Sequence, residues 1–343
     1  MANEDLPRVW EQFLDAAKNG TKKGGIRIYK VAMCKAAVKL SDKLIEHGYC
    51  GGDRYDLWKE YIGKICATLE GDDEVIQRIV REYFLGLHSG DVSEFSIKFT
   101  DKDEGTSIGR ICDVKLSGKD RRFYIKCHQR GSRSSSISMA NRYNNVNPPF
   151  IQEIFVYKLF DKIKVGGEVY FPLPISSDTK KALYIATEEI KFILAKNLTP
   201  ETANADAMIL VNFLQYVLCL EDIGTNGGNY GQSDEGKPVI VDFWVVPKYD
   251  YVLSDVQIRD FWEGPHNCNS RLISDILRNV AKEKREEVIR GAIEEWKLAS
   301  RIDEAKSFVE EFVTKNGEKL EISGDLNRYV RDIKSSLDKM FLI

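Results

Sequence analysis

Four places in this sequence hold side chains suited to chemistry on a phosphate. Gly105-Thr106-Ser107-Ile108-Gly109 is a turn bounded by glycines. Glycines let backbone N–H groups come close to phosphate oxygens, and the Ser107 hydroxyl adds a donor. Lys126, in Phe123-Tyr124-Ile125-Lys126-Cys127, sits on an alternating segment whose neighbours Ile125 and Cys127 should face the other way. If it faces a cleft, it suits a phosphate as a compact point charge. Glu153, among the apolar residues of Phe150-Ile151-Gln152-Glu153-Ile154-Phe155, is able to pair with such a lysine and hold it for a ligand. Asn229 and Asp242 are oxygen donors, and Asp242 ends the apolar run Val239-Ile240-Val241. A carboxylate at the end of a buried strand needs a partner, and a metal ion is a suitable one. Each feature also has an ordinary role: a hairpin turn, a solvated strand lysine, a helix-surface glutamate, a hydrogen-bonded turn. Their joint order along the chain is what gives them weight.

Hydrophobic periodicity supplies elements to hold these residues. Helical spacing runs through Val9–Ala17, Ile26–Glu46, Leu57–Leu69 and Asp72–His88, so the first ninety residues read as helices. From Val92 to Thr100 the pattern alternates, and Ile108–Leu116 and Arg121–His128 follow around the turn Ser117-Gly118-Lys119-Asp120, which predicts three antiparallel strands. A Ser- and Asn-rich loop, 131–149, precedes a helix over 150–163, and short strands are expected at Val169–Phe171 and Ala182–Glu188. A helix over 203–220 is almost wholly apolar in its later turns and should be buried. After a Gly/Asn loop, the run Val239–Val246 reads as one buried strand, and helices fill the chain from Asp255 onward. That order predicts an α+β fold, a small antiparallel sheet followed by a helical portion. The boundaries it suggests are an N-terminal helical domain over 1–90, a sheet-bearing part over 91–190 and a helical part over 191–343.

The composition narrows the function classes. Fifty Lys and Arg nearly balance 53 Asp and Glu, a formal charge of −3, so nucleic-acid binding is not expected of the chain as a whole. No apolar run approaches the roughly 18–20 residues that a membrane span needs. The first twelve residues carry Glu4, Asp5, Arg8 and Glu11 without an apolar stretch, so no secretory leader is expected. Seven cysteines without a CxxC pair suggest reduced thiols and a cytoplasmic protein. Cys127-His128 and His266-Asn267-Cys268 do not match a zinc spacing. Gly-x-Ser-x-Gly and His-Glu-x-x-His are both missing, which weighs against serine hydrolases and zincins.

The order of the four features resembles the protein-kinase-like superfamily, and within it the atypical branch of HipA-like kinases, actin-fragmin kinase and phosphatidylinositol kinases. The resemblance covers residues 92–246 and implies a two-lobed fold: a small antiparallel-sheet lobe and a helical large lobe, here with an N-terminal helical domain. It implies ATP and Mg²⁺ as cofactors and a protein as substrate or binding partner. Gly105, Ser107 and Gly109 would cover the phosphates, Lys126 would bind them, and Glu153 would fix Lys126. Leu183-Tyr184-Ile185-Ala186-Thr187-Glu188-Glu189-Ile190 is similar to the strand that enters the hinge, so backbone groups from Glu188 to Ile190 would hold adenine. Asn229 would end the catalytic loop, and Asp242, in Val241-Asp242-Phe243-Trp244, would be the metal-binding Asp, with Trp244 where Asp-Phe-Gly has glycine. The loop departs from the family at one place. Five residues before Asn229, where the family keeps its catalytic Asp, stands Gly224, and Asp222 lies two places earlier. Two readings follow. Either Asp222 serves as the base, with Gly224 giving the loop freedom to bend, or the chain is a nucleotide-binding or scaffold pseudokinase.

Overall fold

The computed structural model describes residues 74–101, 109–116, 118–127, 149–173, 183–263, 270–318, 320 and 322–342, together with Glu46. The helices expected before residue 70, the Ser-rich loop, and the candidate residues Gly105 and Ser107 lie outside the described residues.

Helix α1 covers residues 74–87. A 3-10 turn, Val92–Glu94, precedes β1 (Ser96–Asp101), β2 (Gly109–Leu116) and β3 (Lys119–Cys127). Next come α2 (Ile151–Ile163), β4 (Val169–Tyr170), β5 (Tyr184–Glu188) and β6 (Ile193–Leu194). Helix α3 (Ala205–Val217) leads into four short strands, β7 (Leu220–Glu221), β8 (Tyr230–Gln232), β9 (Pro238–Ile240) and β10 (Trp244–Val245). Five helices follow: α4 (Asp255–Glu263), α5 (Arg271–Arg278), α6 (Lys282–Trp296), α7 (Leu298–Asn316) and α8 (Leu326–Leu342). The fold is α+β with antiparallel sheets. It divides into two compact units, Met1–Pro149 with Phe171–Ala186, and Phe150–Tyr170 with Thr187–Ile343. Among the described residues no helix is long and apolar enough to cross a membrane.

In the first unit the sheet runs β1-β2-β3-β5. Side chains alternate across a strand, so Cys112, Val114 and Leu116 of β2 and Phe123 and Ile125 of β3 share one buried face. The apolar stripe of α1, Ile76, Ile79, Val80 and Phe84, is buried as well, and the Phe84 ring lies 4.8 Å from that of Phe123. On the other face Arg122 reaches Asp113 at 2.6 Å and holds its carboxyl below the usual carboxylate range. Two local expectations need correction. The alternating run does not begin a strand at Val92, because the Asp91 carboxylate accepts the Ser93 N–H at 3.0 Å and winds Val92–Glu94 into a 3-10 turn. The turn between β2 and β3 is also tighter than four residues. Gly118 takes the left-handed conformation (φ 80°), and Lys119 and Asp120 already pair with Leu116 and Lys115.

The second unit is built around α3. Its residues from Ala207 to Leu214 and Val217 are buried, all apolar but Asn212, and α5, α6 and the β8–β9 pair pack on it. Asn204 caps its first turn by accepting the Ala207 N–H at 3.1 Å. Helix α7 lies along α2, and a parallel bridge joins Phe150 to Ser323, with the Ile151 N–H donating to the Ser323 carbonyl at 2.9 Å. Helix α8 ties the unit from within. The hydroxyl of its fully buried Tyr329 donates to the Leu218 carbonyl at 2.8 Å, and Ser336 Oγ accepts the Leu253 N–H at 2.9 Å.

The run Val239–Val246 is not one strand. β9 ends at Ile240, the chain bends at Asp242, and Trp244–Val245 form a strand of a different sheet, paired with β7. Phe243 provides the reason. Its buried ring stacks on Tyr157 at 4.3 Å and meets Phe160 edge-on at 5.2 Å, so the backbone turns to seat it against α2. An apolar run reads the same in a sequence whether it is straight or bent.

Candidate functional site

Three of the candidate residues, Asp222, Asn229 and Asp242, come together in the second unit. Helix α3 stops at Val217, Cys219 takes a left-handed conformation (φ 52°), and β7 delivers the chain to Asp222. Asp222 is itself left-handed (φ 68°), a conformation that Asp tolerates better than most residues. The buried side chain of Asn229 reaches back, and its Nδ2 donates to the Asp222 carbonyl at 2.7 Å. The Asn229 carbonyl in turn accepts the Val241 N–H at 2.9 Å, one residue before Asp242. Backbone pairing of β8 with β9, Tyr230 opposite Ile240, continues from that bond. Asp222 and Asp242 are both half-buried.

The loop between Asp222 and Asn229 is shaped by its own hydrogen bonds. The Asn226 N–H donates to the Ile223 carbonyl at 3.2 Å, the Asn229 N–H donates to the Asn226 carbonyl at 3.0 Å, and Asn226 Oδ1 accepts the Gly228 N–H at 3.1 Å. Gly227 is required where it stands: its carbonyl accepts the Lys196 N–H at 2.9 Å, and a Cβ would lie 2.9 Å from the Lys196 nitrogen. Sequence reasoning put the freedom to bend at Gly224; the left-handed residue is Asp222.

In the first unit, Gly109 and Lys126 are opposite each other in the β2–β3 register. A Cβ on Gly109 would lie 2.1 Å from the Ile125 carbonyl oxygen, so only glycine fits at this end of the hairpin. Ile125 is fully buried while Lys126 is half-buried, the opposite-facing arrangement that alternation predicts. Glu153 lies in the first turn of α2, 1% exposed, and belongs to the second unit. Glu188 is the last residue of β5 and Ile190 lies two positions beyond it, both half-buried, and the Glu188 N–H donates to the Glu168 carbonyl at 2.9 Å. That bond brings Gly167 so close to the Glu188 carbonyl oxygen that a Cβ would lie 2.2 Å from it.

Chemically, the three residues, whose backbones these bonds bring near one another, carry hard oxygen donors: two carboxylates and an amide whose Nδ2 donates to the Asp222 carbonyl and whose Oδ1 is an acceptor. Such donors suit Mg²⁺, which keeps several waters and takes the rest of its ligands from one or two side chains and a phosphate. Among the described residues no three His, Cys, Asp or Glu side chains are grouped to hold a metal on their own. One pair near the site escaped sequence reasoning. Lys248 Nζ lies 3.4 Å from Cys219 Sγ, 29 positions away, and the residue types alone carry no signal of the contact. Compared with known proteins, the chain matches no family model and no curated protein.

Proposed function

We propose that this chain is a Mg-ATP-dependent phosphotransferase of the atypical protein-kinase type, with Ser or Thr of a protein as acceptor. The observation that carries the reading is the bond from Asn229 Nδ2 to the Asp222 carbonyl. It ties the acidic residue two places early in the loop to the residue that would hold the metal, with Asp242 one position beyond the Asn229–Val241 bond.

In this reading Asp222 accepts the acceptor hydroxyl's proton and orients that oxygen for in-line attack. Asn229 Oδ1 and the Asp242 carboxylate would hold Mg²⁺, which neutralises charge on the phosphates when bound. By the resemblance alone, Lys126 would neutralise phosphate oxygens, Glu153 would fix that lysine, Gly105, Ser107 and Gly109 would cover the phosphates, and the backbone from Glu188 to Ile190 would hold adenine. The two-lobed fold and these roles stand or fall together. A second reading, a nucleotide-binding pseudokinase that serves as a scaffold, draws support from Gly224 at the position of the usual catalytic Asp. Transfer of labelled γ-phosphate to a mixed protein substrate, beside thermal stability with Mg-ATP, separates them. An enzyme transfers and is stabilised. A pseudokinase is stabilised only. Neither effect at millimolar Mg-ATP rejects both.

A further inference from the structure

Beside the candidate loop, Cys219 and Lys248 form a pair that the phosphotransferase reading does not use. The thiol is 7% exposed, at the end of α3, and Lys248 Nζ lies 3.4 Å from its sulfur. Both backbones are held. The Cys219 carbonyl accepts the Val246 N–H at 3.0 Å beside the β7–β10 pairing, and the Lys248 N–H donates to the Tyr251 hydroxyl at 3.0 Å. Only the flexible lysine stem needs to move for nitrogen to reach sulfur.

We propose that Cys219 and Lys248 are an oxidative modification site at which a peroxide joins the sulfur and the lysine nitrogen through a covalent S–N bond. In the first step the Cys219 sulfur, having given up its proton, attacks one oxygen of hydrogen peroxide, the O–O bond breaks, and the departing hydroxide takes up a proton and leaves as water, which gives a sulfenic acid. Sulfur loses two electrons and the peroxide gains them. In the second step Lys248, having released one proton to solvent, attacks the sulfur with its nitrogen lone pair. The S–O bond breaks, and the departing hydroxide takes the second nitrogen proton and leaves as water, which gives a sulfenamide. Burial favours this outcome, because it hinders a second thiol from reaching the sulfenic acid while the amine is already beside it. Burial also pushes the Cys219 thiol's pKa up, and the Lys248 ammonium works against that rise. Lys248 therefore has two roles, easing oxidation and trapping its product. The bond would pin the chain three positions ahead of Asp222. The inference does not depend on the proposed function.

The full chain is incubated with millimolar hydrogen peroxide, digested and mapped by mass spectrometry. We expect the peptides containing Cys219 and Lys248 as one species, lighter than the sum of the reduced peptides by two hydrogen atoms and separated again by dithiothreitol. Lys248→Arg keeps the positive charge but has no nucleophilic amine; its linked species should fall to background while Cys219 proceeds to sulfinic acid. Wild-type Cys219 that stays reduced, or reaches sulfinic acid without a link, overturns the proposal. So does a linked species carrying an extra oxygen atom, or a link that persists in Lys248→Arg.

Discussion

Asn229 donates its side-chain N–H to the carbonyl of Asp222 at 2.7 Å, so a buried amide fixes the one left-handed acidic residue of its loop. Removing the amide leaves that carbonyl without this donor, and losing a part-buried hydrogen bond costs about 1–3 kcal/mol. Asn229→Ala should therefore unfold at lower urea by that amount and lose its response to Mg-ATP. A variant as stable as the wild type would mean that the bond does not position Asp222.

Asp222 separates backbone cost from chemistry. The left-handed region costs an ordinary L-residue roughly 1–2 kcal/mol, so Asp222→Gly should be no less stable than the wild type in urea, while Asp222→Ala should be less stable than Asp222→Gly. Asp222→Asn, which tolerates the same backbone, should keep the Mg-ATP response and lose on the order of 10²–10⁴ in phosphate transfer. If Gly224→Asp instead creates transfer where the wild type has none, the pseudokinase reading is correct.

Mg-ATP should stabilise the folded chain, by about 2.7 kcal/mol at a ligand concentration 100 times Kd. Differential scanning fluorimetry should register this as a rise of several degrees in Tm, and Lys126→Ala and Asp242→Ala should each largely abolish it with Tm in buffer little changed. An undiminished shift in both variants would remove these residues from the nucleotide site.

The bend that carries Asp242 depends on Phe243, whose ring is packed between Tyr157 and Phe160. Phe243→Ala should cost about 3–5 kcal/mol in chemical denaturation and weaken Mg-ATP binding with it. A loss below about 1 kcal/mol would show that the ring is not what holds the bend.

Glu304 offers an acid-limb test. Lys162 and Arg301 hydrogen-bond it and hold its carboxyl at about 2 instead of the ordinary 4.5. A pKa lower in the folded than in the unfolded chain gives stability that is fully present above 4.5 and is lost as pH falls toward 2. Across that window the wild-type Tm should fall more steeply than that of Glu304→Gln. Parallel curves would show that the cluster contributes nothing to acid stability.

How far the sequence could be read follows from how local each signal is. The α1 stripe, the β2–β3 hairpin and the buried α3 are set by period and composition and exist as the pattern predicts, although the hairpin turn is tighter and α3 ends at Val217, not at Leu220, which lies in β7. The bend at Asp242 and the two-residue strands β6, β7 and β10 escaped because a partner distant in sequence decides them. Phe243 turns toward α2, for instance, not toward anything near it in the chain. Asp222, Asn229 and Asp242 could be named from their types and order. That Asp222 is the left-handed residue, and that Cys219 has a lysine beside it, are matters of three-dimensional placement that no local pattern encodes.

The place of α8 bears on the order in which the protein is made. The segment around Leu218 that leads into the candidate loop, and the backbone at Leu253, receive Tyr329 and Ser336, and α2 begins against Ser323. On the ribosome, then, the second unit cannot close around its loop until the last of these residues has left the exit tunnel, although α2 emerged long before. Over that interval the apolar face of α3 lacks part of its cover and is open to chaperones. A premature stop ahead of Tyr329 should therefore yield a chain degraded in the cell, not a shortened folded form.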